Sequence, residues 1–105
     1  MLKSMTTAAL LSAGFLGLAS AEDIKINQAD KAFVPQSVTV KAGDTVDFVN
    51  GDTVTHNVYT RGSPDDFSLG AMKPGEEKAV TLSTPGTYDV KCAIHPKMKM
   101  TVIVQ

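Results

Sequence analysis

The sequence has no tryptophan, a single cysteine and no excess of charge of either sign. One cysteine excludes a disulfide within the chain, so a domain of this size must be stabilised by one hydrophobic core. The 10 basic and 11 acidic residues give a net charge of −1 and are not arranged in a basic stripe. Because proteins that bind nucleic acids need such a stripe to contact phosphates, we predict no nucleic-acid partner.

A long apolar stretch occurs near the N-terminus, from Ala8 to Ala19, where it follows the positive charge of Lys3. An A-x-A motif ending at Ala21 comes directly after it, as in a cleavable signal peptide. The stretch is shorter than the ~20 residues that cross a bilayer. We therefore predict a signal peptide over residues 1–21, with cleavage after Ala21, and a mature periplasmic protein without a membrane span. An uncleaved N-terminal anchor is the alternative.

Export changes the meaning of the lone Cys92, because a free thiol is a liability in an oxidising compartment unless it is buried or coordinated. A free cysteine ordinarily packs as a small, buried hydrophobic residue. The residues around Cys92 decide between that role and a metal-ligand role.

Sustained helical patterns are absent after residue 22, where apolar and polar residues alternate with a period of two. The alternating apolar positions are Ile24, Ile26, Val38, Val40, Val46, Phe48, Val80, Leu82, Tyr88, Val90, Cys92, Val102 and Val104. Turn sequences rich in Gly, Pro, Asn and Asp separate these segments. This pattern predicts one all-β domain over residues 22–105, a two-sheet antiparallel Greek-key sandwich of about seven strands. In the irregular segment between residues 60 and 78, Phe67 and Leu69 indicate a further short strand.

The chemistry of the chain is concentrated near its C-terminal end, where Cys92, His95 and Met98 are spaced three residues apart. A thiolate, an imidazole and a thioether together suit copper, which must stay bound as both Cu(I) and Cu(II). Cys92 ends a predicted strand in phase with its inward-facing positions, and Pro96 stiffens the loop that carries His95. Met98 is the expected weak axial donor. Met100 is the alternative for that role, although both Met100 and Met72 are better explained as core or rim residues.

A trigonal copper site with one cysteine needs a second imidazole, and the chain has only one other histidine, His56. His56 follows a predicted turn and can approach Cys92 only through the tertiary fold. Its neighbour Asn57 is then a candidate to hydrogen-bond the ligand loop and fix its position.

Three functions compete for this set of residues. The first is a one-electron copper carrier, and the alternative is a periplasmic copper chaperone or buffer that uses its methionines as a Cu(I) surface. A zinc site is the third, although zinc gains little from methionine. No carboxylate pair or nucleophile–base arrangement accompanies the histidines, so we predict that the protein is not an enzyme.

The segment from Pro85 to Met98, with His56-Asn57-Val58 upstream, resembles the type 1 (blue) copper proteins, the cupredoxins of the plastocyanin/azurin family. The resemblance covers residues 23–105, and the short Cys-x₂-His-x₂-Met loop is most similar to that of amicyanins. It implies a cupredoxin sandwich that binds one copper ion through His56, Cys92, His95 and axial Met98. It also implies a periplasmic electron carrier whose electrons pass through the exposed edge of His95.

The partners that the resemblance implies are redox proteins, with a dehydrogenase or oxidase and a c-type cytochrome as candidates, and the expected state is a monomer. The loop departs from the family pattern in two ways. Ala93 stands where relatives often have a hydroxyl residue, so Asn57 would have to use its backbone groups. Amicyanins also tend to have a proline and an apolar residue in the loop, where this chain has Ile94 and Lys97. Lys97 and Lys99 add positive charge near the expected docking face.

Overall fold

The computed structural model describes residues 21–105, which form nine β-strands. The strands are β1 (Asp23–Ala29), β2 (Ala32–Val34), β3 (Ser37–Val40), β4 (Asp44–Asn50), β5 (His56–Thr60), β6 (Phe67–Met72), β7 (Glu77–Leu82), β8 (Gly86–Cys92) and β9 (Lys99–Val104). The predicted signal peptide lies outside the described residues except for Ala21, and it stays a prediction. Within residues 21–105, no helix is long and apolar enough to cross a membrane.

The strands form two sheets, one of four strands in the order β2-β1-β4-β7 and one of five in the order β3-β9-β8-β5-β6. This arrangement confirms the predicted all-β sandwich. Its sheets are mixed, because β1 pairs with β4 and β3 pairs with β9 in parallel. Parallel neighbours need a crossover connection, and here the chain passes through β3 in the second sheet before it returns to β4.

The core lies between the sheets and is lined by the inward positions of the alternating strands. In β4, every second residue from Asp44 to Asn50 is buried. Most of the predicted apolar positions are buried, among them Val46, Phe48, Tyr88 and Val90. Each such side chain contributes roughly 1.5–3 kcal/mol when it is fully buried. The short strand predicted around Phe67 is confirmed as β6.

Two connections bring the candidate site together at one end of the sandwich. Residues 51–55 join β4 to β5, and residues 93–98 join β8 to β9. Since β5 and β8 are antiparallel neighbours with Val58 opposite Cys92, the start of β5 lies beside the end of β8. His56 and Cys92 are thereby adjacent in space although 36 residues separate them.

Candidate metal centre

Three predicted ligands converge at this end of the sandwich. Cys92 Sγ lies 3.8 Å from His56 Nδ1 and 3.7 Å from His95 Nδ1, and the two Nδ1 atoms are 3.1 Å apart. With metal–thiolate and metal–imidazole bonds of about 2.3 and 2.0–2.1 Å, a trigonal ion holds sulfur and nitrogen about 3.8 Å apart. All three donor atoms lie within 4.8 Å of one another. The side chains are therefore spaced to hold one metal ion.

Cys92 is buried, with 2% of its surface exposed. Its Sγ accepts a hydrogen bond from the Asn57 backbone N–H at 3.2 Å. The Asn57 carbonyl accepts from the Ala93 N–H at 3.1 Å, and the Cys92 N–H donates to the Met98 carbonyl at 3.2 Å. A hydrogen bond to a ligand atom fixes its position and tunes the metal that it holds. Asn57 makes these contacts with its backbone, so Ala93 does not prevent them.

His56 is completely buried, and both of its ring nitrogens have partners. Nδ1 faces the cluster, whereas Nε2 lies 3.0 Å from Asp52 Oδ2. The same carboxylate accepts hydrogen bonds from the Lys31 and Thr53 backbone N–H groups, each at 2.8 Å. These backbone bonds, followed by the His56 contact, lower the pKa of Asp52 from 3.8 to about 2. Asp52 is thus ionised at neutral pH, and it holds the far side of the imidazole.

Asn50 gives the connection between β4 and β5 its shape. Its buried side-chain amide donates to the carbonyls of Val54 and Met72, both at 2.9 Å. Its side-chain oxygen accepts the Asp52 N–H at 2.9 Å, an Asx-type turn. Gly51 passes so close to Asn27 that an added Cβ would overlap its side chain. The turn therefore places Asp52 directly beside the ring of His56.

His95 is held differently, because it lies on a connecting loop and is half-buried. The Met98 N–H donates to the His95 carbonyl at 2.9 Å, which closes the loop into a turn. A shallow groove beside the imidazole is lined by Lys31, His95, Pro96, Lys97 and Met98. Ile94 on the same loop is 51% exposed. His95 therefore reaches the cluster with one edge and the surface with the other.

The three methionines considered for the axial position differ in how close their backbone lies to Cys92. Met98 is buried and shares a backbone hydrogen bond with Cys92. Met100 lies opposite Val90, one side-chain repeat further from the site. Met72 lies opposite His56, but its Sδ faces the Gln28 amide at 3.6 Å. The position of its backbone therefore favours Met98 as the axial donor.

Sequence reasoning identified the residues that the structure brings together, but it missed Asp52 and Asn50. Both lie in the turn that the sequence predicts before His56. Asp52 and His56 are four residues apart, a spacing that carries no signal outside a helix. Their contact depends on the irregular path of residues 51–55, which the alternating pattern does not describe.

Comparison with known proteins agrees with the geometry. The family model described as copper binding proteins, plastocyanin/azurin family, matches residues 20–105. Amicyanin from Paracoccus versutus is 38% identical over 76 residues, which cover 70% of this chain and 58% of that protein. Amicyanin-alpha from Methylorubrum extorquens is 31% identical over 110 residues, covering 99% of this chain and 92% of the relative.

A solved structure gives the same result for the fold. The crystal structure of amicyanin from Paracoccus versutus superposes with a TM-score of 0.72 at 34% identity and covers 83% of each chain. The resemblance to amicyanin is confirmed, as is the cupredoxin fold. The donor set of two imidazoles and one thiolate fits copper as well. The chain therefore belongs to the plastocyanin/azurin family of copper binding proteins, and its cofactor is a copper ion.

Proposed function

We propose that residues 22–105 form an exported, periplasmic blue copper protein that carries single electrons between redox partners. His56, Cys92 and His95 would supply the trigonal plane, and Met98 would supply the weak axial donor. The observation that carries this proposal is the S···N spacing of 3.7 and 3.8 Å at Cys92. When bound, copper supplies a one-electron Cu(I)/Cu(II) couple. The amicyanin relatives support a carrier and not an enzyme.

The protein side chains contribute a rigid and nearly dry enclosure. His56 and Cys92 are fixed on neighbouring strands, and their exposed fractions are 0% and 2%. A site that barely moves between two oxidation states loses little energy to reorganisation when an electron passes. Burial also excludes water and exogenous ligands from the position that the metal would occupy. These are the properties of an electron carrier.

The groove at His95 is the proposed route for electrons. It brings an imidazole edge to the surface beside the apolar side chains of Pro96 and Met98. The exposed Ile94 extends the apolar area. Such a small patch suits brief encounters with redox proteins, with a dehydrogenase or oxidase and a c-type cytochrome as candidates. A monomer leaves this face accessible.

The copper-chaperone alternative gains no support from the methionines. A protein that hands copper to another protein exposes flexible sulfur donors, but Met72, Met98 and Met100 are 0%, 1% and 4% exposed. The thiolate of Cys92 is likewise enclosed. We therefore retain the electron carrier as the proposed function.

Addition of Cu(II) to the purified mature protein tests the proposal. We expect intense blue absorption, a narrow parallel hyperfine splitting in the EPR spectrum, and reversible bleaching by a reductant. Cys92→Ser should abolish the blue colour, whereas the matched core variant Met100→Leu should retain it. A pale tetragonal complex in the wild-type protein, or a colourless one, would refute the proposal.

A further inference from the structure

The Asp52 carboxylate contacts three groups from three different parts of the chain. Oδ2 accepts from the Lys31 N–H at 2.8 Å and lies 3.0 Å from His56 Nε2, whereas Oδ1 accepts from the Thr53 N–H at 2.8 Å. The carboxylate is 11% exposed, and the imidazole is fully buried. Asp52 therefore connects the first hairpin, the β4–β5 connection and the buried histidine.

Hydrogen-bond chemistry determines which nitrogen of His56 carries the proton. An ionised carboxylate is only an acceptor, so a hydrogen bond to Asp52 requires a proton on Nε2. In the neutral ring the lone pair must then be on Nδ1, the atom that faces Cys92 Sγ at 3.8 Å. Asp52 thus selects the tautomer of His56 that can donate to a metal in the cluster.

The turn between β1 and β2 has an uncommon backbone conformation, and this conformation allows the Lys31 N–H to contact Asp52. Ala29 pairs with Ala32, and the two residues between them, Asp30 and Lys31, have positive φ angles of 52° and 58°. This left-handed region costs roughly 1 kcal/mol for a residue with a side chain. The turn directs the Lys31 N–H at the carboxylate, so the sheet that holds no ligand still braces the site.

We propose that Asp52 is a positioning residue that fixes the orientation and tautomer of His56 and makes its imidazole a stronger donor toward Cu(II). This inference rests on the proposed function, since it concerns the copper bound at that site. Carboxylate partners of ligand histidines hold the ring and increase its basicity, and their loss typically weakens metal binding by about 10–100-fold.

The effect should differ between the two oxidation states. A carboxylate behind the imidazole stabilises the higher charge of Cu(II) more than that of Cu(I), so its removal favours reduction. We expect Asp52→Ala to lower the ratio of Cu(II) to Cu(I) affinity by about tenfold, a rise in potential of about 59 mV for a one-electron couple. Asp52→Asn keeps an oxygen acceptor at the same place but loses the charge. It should give a smaller shift in the same direction.

Asp44 offers a matched control at the opposite end of the sandwich. Its carboxylate also accepts two backbone N–H groups, from Lys41 at 2.8 Å and Glu22 at 3.0 Å. Asp44→Asn should lower stability without moving the potential. The experiment measures reduction potential, EPR and visible spectra of the copper forms of wild type, Asp52→Ala, Asp52→Asn and Asp44→Asn. It also measures ¹⁵N shifts of the His56 ring in the copper-free protein.

The outcomes separate this role from a purely structural one. Higher potentials in both Asp52 variants, together with a mixture of His56 tautomers in copper-free Asp52→Ala, would support it. Potentials equal to that of Asp44→Asn, or an unchanged tautomer, would overturn the role of Asp52 while a blue wild-type protein keeps the proposed function. A wild-type protein without the blue spectrum would overturn both. Because Asp52→Asn is nearly isosteric, it keeps the test decisive if Asp52→Ala folds poorly.

Discussion

The two histidines of the metal centre are held in opposite ways. On the strand side of the site, formed by Asp52, His56 and Asn57, the imidazole is completely buried and both ring nitrogens have partners. On the loop side, residues 93–98, His95 is half-buried and lies beside an open groove. A ligand that is buried and braced sets the geometry of a metal, whereas a ligand at the surface can connect the metal to a partner.

The difference follows from where each residue lies in the fold. His56 begins a central strand of the five-stranded sheet, between β8 and β6. His95 lies on a connection that must run over the surface to reach β9, because a buried loop would leave its backbone polar groups unpaired. The sandwich thus supplies rigidity to one ligand and access to the other.

Removal of each imidazole in turn should break this comparison most strongly. We expect both His56→Gly and His95→Gly to lose the blue spectrum, because either change removes an equatorial ligand. Exogenous imidazole should restore the colour of His95→Gly, since the gap opens at the surface. It should not restore His56→Gly, whose gap is enclosed.

Visible absorption during an imidazole titration measures this difference, with circular dichroism as a check that both variants are folded. Equal restoration of the two variants would show that burial does not distinguish the histidines. Restoration of His56→Gly alone would reverse the assignment of the two sides.

The pattern of the sequence was sufficient to predict most of this architecture. Period-two alternation identified the buried faces of the strands, and the spacing of Cys92, His95 and Met98 identified the loop side directly. The strand side was harder, since His56 was found only because the chain has no other histidine outside the loop.

The brace behind His56 could not be predicted at all. Asp52 reaches the imidazole through a turn that Asn50 shapes and a hairpin whose Lys31 supplies a backbone donor. Each of these bonds joins residues whose side chains carry no periodic signal. The parallel pairings of β1 with β4 and of β3 with β9 were missed for a related reason. They depend on where the chain crosses between the sheets.

The axial donor on the loop side is the next largest expected effect. Met98→Gln should keep copper bound but lower the potential by more than about 59 mV, because a harder oxygen donor favours Cu(II). Voltammetry of Met98→Gln beside Met100→Gln measures the difference. A shift in Met100→Gln and none in Met98→Gln would assign the axial role to Met100.

Lysine side chains should make the rate of electron transfer at the loop side sensitive to salt. Lys31 and Lys97 line the groove at His95, so an anionic oxidant such as hexacyanoferrate(III) should be attracted to it. We expect Lys97→Gln to slow oxidation of the reduced protein by about two- to fivefold at low ionic strength, with the difference fading near 1 M salt. Stopped-flow rates measure the effect.

Lys41→Gln is the control for this experiment, since Lys41 is exposed in the turn before β4 at the far end of the sandwich. Its rate should match that of the wild type at every salt concentration. Equal slowing in both variants would indicate that the net charge of the protein, and not a local field at His95, governs the encounter.

The smallest effect concerns acid stability, and it compares the strand side of the site with the distant end of the fold. Backbone hydrogen bonds from Lys41 and Glu22 lower the pKa of Asp44, and those from Lys31 and Thr53 bring the pKa of Asp52 to about 2. A lowered folded-state pKa means that, as pH falls below about 4, the unfolded chain binds the proton first and stability declines. In copper-free protein, the pH dependence of urea unfolding between pH 5 and pH 2 should therefore show that protons are taken up on unfolding. This uptake should be smaller by up to about one proton in Asp44→Asn, and likewise in Asp52→Asn. If Asp44→Asn flattens the pH profile and Asp52→Asn does not, the hydrogen bonds of the Asp52 carboxylate do not persist without metal.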